Sequence, residues 1–373
     1  MTKEKSFFFT QSDVKTLLVG ICAPYNKIKD PAPYYEEFLN LVSTNGISTE
    51  HTFFMRLRTI DAGYFLSKGK LEEIRKLCEE HQFEQIVFSE PLSAQQERNL
   101  NELLECRIID RTELILEIFE KAAHSAEGKT QVAMAAFKHR KARLAGKGKH
   151  MSQQMGAIGF RSGPGETAKE REARYIEDMI LKMRRELERI SQSRQTQRKR
   201  RLTNRIPQIC LIGYTNAGKS TILNILTKSN VLAEDKLFAT LDTTTRELYI
   251  DSKKKGVISD TVGFIQNLPH QLIEAFKATL SELQFADLLL QVVDISDPSW
   301  QLHIQVTNEI LLDLEVDKPM LYVFNKADRL EQSELDDLPV HNYRPHAFVS
   351  ALSKEGIEPL IEFLRNWEPQ QNS

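Results

Sequence analysis

What this 373-residue chain has little of narrows it first. Its four cysteines, Cys22, Cys78, Cys106 and Cys210, are scattered, mostly in apolar surroundings, and no C-x-x-C pair occurs. That excludes a disulfide scaffold and a thiolate zinc framework, and reads as buried thiols in a reducing compartment. No apolar run approaches the roughly 18 residues that would suggest a membrane-spanning helix. The apolar block Phe7-Phe8-Phe9 is too short for a signal peptide. These absences point to the cytoplasm. The net charge of −2 assigns no partner by itself.

Charge is abundant but unevenly placed. Residues 121–206 carry 22 Lys and Arg against 8 Asp and Glu, whereas the rest of the chain carries 28 against 44. A basic middle inside an otherwise acidic protein is a footprint for nucleic acid or another anionic surface. The periodicity there is helical. Leu116, Phe119, Ala123, Val132 and Ala136 recur over 112–145, and Ile176, Met179, Ile180, Met183, Leu187 and Ile190 trace one stripe over 166–194. Two such helices pack most simply as an antiparallel hairpin with arms of about 30 residues, roughly 45 Å at 1.5 Å per residue. The stripe is then hairpin core. Between them, residues 146–165 hold six of the chain's 16 glycines together with Lys147, Lys149 and Arg161. Such a loop reads as an RNA-facing tip, with a plain spacer as the alternative. Arg198-Lys199-Arg200-Arg201 follows, by itself a solvated helix end or hinge.

Ahead of the basic middle, apolar runs at 14–22, 52–57, 85–89 and 107–109 predict strands. They alternate with helices predicted at 34–42, 69–78 and 95–104, the order of a small α/β domain with a largely parallel sheet. Ser67-Lys68-Gly69-Lys70 opens one of these helices and is read as a plain helix start.

Behind it, Gly213-Tyr214-Thr215-Asn216-Ala217-Gly218-Lys219-Ser220 reads G-x-x-x-x-G-K-S, between the apolar run 209–212 and a helical pattern from 221. Strand, glycine turn and helix are the context in which this motif cradles phosphate: backbone N–H groups converge on an anion at a helix N-terminus. Lys219 then reaches the terminal phosphates and Ser220 ligates magnesium. Downstream come a threonine-rich loop, Phe238-Ala239-Thr240-Leu241-Asp242 through Thr245, and a strand ending in Asp260-Thr261-Val262-Gly263. That carboxylate is suited to hold magnesium through water, and the Gly263 N–H to meet a γ-phosphate. Apolar strands at 288–293 and 320–324 follow, the second entering Asn325-Lys326-Ala327-Asp328. The Asp328 carboxylate can accept from both the ring N–H and the exocyclic amine of guanine, and a site built on that acceptor rejects adenine. Ser350-Ala351-Leu352 offers a backbone N–H to the guanine carbonyl oxygen.

Taken together, these segments resemble the HflX family of ribosome-associated GTPases. The likeness rests on G-Y-T-N-A-G-K-S, Leu237 to Asp242, Asp260 to Ile265 with Leu268-Pro269-His270, Asn325 to Asp328, and the glycine-rich Gly159 to Glu166. It covers almost the whole chain. Ala157 and the additional Ser162 depart from the family's tighter glycine segment, Thr243 replaces its usual proline, and little follows Trp367. The resemblance implies a phosphate-loop GTPase domain (residues 207–373), with a mostly parallel sheet and helices on both faces. An α/β subdomain (1–111), a long antiparallel helical hairpin (112–200) and a linker (201–206) precede it. It implies GTP/GDP and Mg2+ as ligands, with Ser220 and Thr240 on the metal and Lys219, Asp260 and Gly263 at the reacting phosphate. The ribosome is the implied partner, chiefly the large subunit and its RNA, with splitting of stalled ribosomes as the implied task. A monomer is expected.

Two other readings stand beside it: an RNA-binding adaptor holding GTP as a structural ligand, and a regulator touching anionic lipid. Phe264 occupies the place where many GTPases carry a water-orienting glutamine. The polar candidates to replace it are Thr245, Arg246, His270 or a partner.

Overall fold

The computed structural model describes residues 14–26, 30–145, 168–203, 206–227, 237–238, 241, 244–269, 272 and 280–369. The chain groups into two compact units, Met1–Lys121 with Lys129–Glu188, and Ala122–Gly128 with Arg189–Ser373. No helix among the described residues is long and apolar enough to cross a membrane.

Among the described residues, the first unit is built on four strands, β1 (Thr16–Cys22), β2 (Thr52–Arg56), β3 (Gln85–Phe88) and β4 (Arg107–Ile109). They lie in the order β2-β1-β3-β4, every pair parallel. Both central strands are buried along their whole length, as a parallel sheet covered on both faces requires. Helices α1 (Ala32–Thr44), α2 (Lys68–His81) and α3 (Ala94–Leu104) are the crossovers. α3 starts on a capping box between Ser93 and Gln96. The Ser67–Lys70 run is the start of α2, and Lys70 pairs with Glu73 at 2.7 Å.

The helix expected over 112–145 is two helices, α4 (Arg111–Ala122) and α5 (Ala126–Ala145). Ser125 makes the break, its hydroxyl accepting the Gly128 N–H at 2.9 Å in an N-cap that restarts the helix. The second arm, α6 (Ala168–Thr203), runs 36 residues against 20 in α5, instead of two equal arms. Phe137 meets Tyr175 edge-on and Arg140 reaches Glu172 at 2.5 Å, so the two helices run antiparallel. Phe137, Leu144 and Ile176 are buried between them with Met179, Ile180 and Met183 packed alongside. The stripe is hairpin core there, while Leu187 and Ile190 further along are only half-buried. The 146–165 loop and the side chains of Arg198–Arg201 lie outside the described residues.

The second unit holds six strands among the described residues: β5 (Gln208–Gly213), β6 (Thr244–Ile250), β7 (Lys253–Asp260), β8 (Leu288–Asp294), β9 (Met320–Asn325) and β10 (His346–Phe348). Their order is β10-β9-β8-β5-β7-β6, parallel except for the β6–β7 hairpin. Helices α7 (Lys219–Thr227), α8 (Trp300–Asp313), α9 (Gln332–Asp337) and α10 (Glu358–Asn366) accompany them. β6 is a correction: Thr244 and Thr245 are not loop residues but open an edge strand, and the Thr245 hydroxyl lies 2.8 Å from that of Ser259 on β7. Only Leu248 and Ile250 of β6 are fully buried, the alternation of a half-exposed strand.

Candidate nucleotide-binding site

The site grows from the carboxyl end of β5, where the chain turns to one side for β6 and β7 and to the other for β8. Crevices at such reversals are where open parallel sheets take ligands. Gly213 closes the strand at φ 139°, and a Cβ there would lie 2.2 Å from the Val292 carbonyl oxygen on β8. Gly218 has φ 96°, and its Cβ would lie 2.2 Å from Asn325 Nδ2. Only glycine fits either place. The loop between them delivers the chain into α7 at Lys219, and the first N–H groups of a helix have no acceptor within it.

Lys219 is buried, its ammonium donating to the carbonyls of Gly213 at 3.1 Å and Tyr214 at 2.7 Å. Burial pulls its pKa down to about 8, with Asp260 opposing. Ser220 Oγ donates to Asp260 Oδ2 at 2.6 Å, joining the loop to the end of β7. These are hard oxygen donors, the set that magnesium takes, so the residues present fit the implied metal. Gly263 lies against the loop so closely that a Cβ would meet Thr215 Cγ2 at 2.7 Å and Lys219 Nζ at 3.1 Å. The next residue is stitched on: Phe264 N–H donates to Gly213 O at 3.1 Å, and Thr215 N–H to Phe264 O at 2.9 Å. The Phe264 side chain is buried, and Thr261 donates to Leu211 O at 2.7 Å.

From the other side comes the loop after β9. Asn325 is a brace between loops: its Nδ2 donates to Ala217 O at 2.8 Å and its Oδ1 accepts from Ala351 N–H at 3.1 Å. That role is not legible in the motif. Lys326, at φ 61°, pairs with Asp294 at 2.6 Å. Ala327 N–H donates to Val349 O at 3.1 Å, which holds the Asn325–Asp328 and Ser350–Leu352 loops together. Asp328 and Leu352 are exposed. Phe238 and Leu241 are buried; Ala239, Thr240, Asp242 and His270 lie outside the described residues. Val262 is buried beside Gly263. Of the candidates to replace the glutamine, Thr245 is engaged with Ser259, and Arg246 is exposed on the edge strand.

A glycine loop that closes a strand onto a helix, an Asp-x-x-Gly strand end against it, and an Asn-Lys-x-Asp loop bracing it define the phosphate-loop GTPase class. Models of three families match in tandem: "GTP-binding GTPase N-terminal" over 33–120, "GTP-binding GTPase Middle Region" over 122–201 and "50S ribosome-binding GTPase" over 208–326. GTPase HflX of Caldanaerobacter subterraneus is 42% identical over 336 residues, 89% of this chain and 77% of that protein. GTPase HflX of Escherichia coli is 40% identical over 331 residues, 88% and 78% respectively. The chain belongs to the HflX GTPase family, whose activity is GTP binding and hydrolysis. The crystal structure of the SsGBP–GDP complex shares the fold, with a TM-score of 0.52 and 24% identity over 94% of this chain and 97% of that one.

Proposed function

We propose that this chain hydrolyses GTP in the cytoplasm while bound to the ribosome, chiefly the large subunit and its RNA, and that it remodels or splits stalled ribosomes. The observation that carries the reading is that one chain holds both the β5–α7 site and a basic helical arm. Along α6, Arg171, Arg174, Lys182, Arg185 and Arg189 are exposed and fall on one side of the helix at its 3.6-residue spacing, with Asp178 and Glu186 among them; such cations are suited to a phosphate backbone. The 50S ribosome-binding description of the matching family supports the same partner.

In this reading the backbone from Gly213 to Ser220, with exposed Asn216 and buried Ala217 between its glycines, wraps the phosphates, and Lys219 leaves its carbonyl partners for the terminal ones. The Gly263 N–H meets the γ-phosphate. Asp328 accepts from guanine, and the Ser350–Leu352 loop faces the base carbonyl. Magnesium, held by Ser220 and Thr240 and through water by Asp260, would neutralise charge shared by the β- and γ-phosphates. Phe264 is buried and offers no hydrogen bond to water. With a basic hairpin and a ribosome-binding family at hand, the ribosome is the partner that helps to order the attacking water in this reading, with His270 the candidate within the chain.

Phosphate release measured with and without large subunits tests this. Subunits should raise kcat by at least about tenfold, about 1.4 kcal/mol of barrier. Replacing Lys147, Lys149 and Arg161 with Ala should weaken co-sedimentation with ribosomes and flatten its salt dependence. An isolated chain already as fast as the ribosome-bound one would refute the partner model.

A further inference from the structure

Tyr214, the first variable residue of the phosphate loop, is used in a way that the motif does not require. Its side chain is buried, and its hydroxyl accepts the Gln266 N–H at 2.9 Å. Its ring lies flat on the imidazole of His303, centroids 3.8 Å apart and planes 11° from parallel. His303 comes from α8, which packs against β8 and β5, and is itself buried. Its Nδ1 has no hydrogen-bond partner among the described residues, so its described contact with the loop is the stack. Burial holds its pKa below the usual value, against the pull of Asp297 and Asp294. A neutral ring stacks on tyrosine without a charge to desolvate.

The consequence falls on the segment after Asp-x-x-Gly. Phe264 is tied to the loop at both its N–H and its carbonyl, and Gln266 is tied through the Tyr214 hydroxyl. Gly263 precedes these three bonds and follows the end of β7, so its backbone is held from both sides. We propose that Tyr214, backed by His303, is a positioning residue for GTP hydrolysis: the hydroxyl fixes the 264–266 segment, and the imidazole fixes the hydroxyl. This rests on the reading that the chain hydrolyses GTP. It predicts an effect on the chemical step with little effect on nucleotide affinity, because Tyr214 contributes to the phosphate cradle through its backbone.

The test uses the full chain. Tyr214→Phe keeps the stack and removes the bond to Gln266; His303→Leu keeps the bond and removes the stack. Single-turnover GTP hydrolysis and Kd for a fluorescent GDP are measured for each variant and for the double variant. Losing one buried hydrogen bond should slow hydrolysis about fivefold in Tyr214→Phe, with Kd within about twofold. His303→Leu should slow it similarly, and the double variant should be no slower than the worse single one, since both act along one path. His303→Asn, which keeps a flat polar group, should recover part of the rate. Unchanged hydrolysis in Tyr214→Phe, or rate and affinity falling in parallel, would overturn the proposal. Absence of phosphate release from the wild-type chain would instead overturn the hydrolysis reading.

Discussion

Two buried cations, one in each unit, stand at the carboxyl ends of parallel strands and meet opposite fates. Arg111 follows β4 and is wholly enclosed. Its guanidinium reaches Glu37 at 2.5 Å and lies over the Tyr34 ring. Burial works against its charge, but Tyr34, Glu37 and Glu90 outweigh burial and raise its pKa. Beside it, at the reversal between β1 and β3, the Glu90 carboxylate accepts from Tyr25 at 2.5 Å, Tyr34 at 2.7 Å and Asn26 at 2.9 Å. Lys219 is buried too, yet desolvation prevails over Asp260 and its pKa falls. Both sheets obey the same topological rule. The first fills its crevice with side chains that pair with one another; the second clears its crevice with Gly213 and Gly218 and leaves a cation short of counter-charge. The carboxyl end of a sheet becomes a phosphate site when its cation is held by neutral carbonyls, as Lys219 is by those of Gly213 and Tyr214, and not by carboxylates that cancel its charge.

The sharpest way to break this contrast is to unbalance the closed side. Glu37→Leu strands Arg111 without its nearest carboxylate. Removing one member of a buried ion pair typically costs about 3–5 kcal/mol, so the thermal midpoint of the chain should fall by several degrees while GDP affinity stays put. Replacing both, Glu37→Leu with Arg111→Met, should return much of the loss, since a well-packed apolar pair replaces the ions. An unchanged midpoint in the single variant would mean that Glu90 alone balances the guanidinium. On the open side the effect should be reversed. In Gly263→Ala the new methyl meets Thr215 and Lys219, displacing the N–H that the proposed function assigns to the γ-phosphate. Loss of one such donor is worth about a hundredfold in rate. Single-turnover hydrolysis should fall by that order, and by more than GDP affinity and thermal midpoint, which the push on Thr215 also lowers; an equal fall in rate and GDP affinity would show that Gly263 acts only by shaping the cradle.

How far the two regions can be read from sequence follows from the same physics. The four-stranded sheet of the first unit and its crossover helices are legible almost residue by residue, because their apolar runs and stripes are clear, whereas the break at Ser125 and the unequal hairpin arms are not. The pattern predicts β1 at 14–22 and α1 at 34–42, and they occupy Thr16–Cys22 and Ala32–Thr44. The phosphate loop is legible as a motif because its glycines answer local backbone demands. β6 is hidden because polar Thr244-Thr245-Arg246-Glu247 begin it at a sheet edge, and only Leu248 and Ile250 betray alternation. α8 escapes a reading aimed at motifs, although its buried stripe of Trp300, His303, Ile304, Thr307, Ile310 and Leu311 repeats at helical spacing. The Tyr214–His303 stack joins residues far apart in sequence, and no local pattern encodes such a pair. The Asn325 brace escapes for a similar reason, since the motif names the residue but not the two loops it ties.

The smallest expected effect is a pH dependence, and its sign separates the two cations. With its pKa near 8 in the nucleotide-free fold, Lys219 sheds its proton above that pH, whereas the unfolded chain keeps it to about 10.4. The unfolded state then binds more protons, so the stability of the nucleotide-free chain should rise as pH climbs through that window. Nucleotide affinity should move the other way. Phosphate beside Lys219 favours the ammonium form, so binding above about pH 8 takes up a proton and weakens as pH rises, by about fourfold between about pH 7 and pH 8.5. Titrations with a fluorescent GDP, kept below the range where the guanine ring N–H ionises, measure the affinity; thermal midpoints of the nucleotide-free chain measure the stability. Lys219→Met should flatten the stability limb, because no titrating group remains there. Arg111 should contribute to neither trend, since its counter-charges keep it protonated throughout. Affinity and stability falling together with rising pH would show that Lys219 is not the group responsible, and that the two buried cations differ less than their surroundings imply.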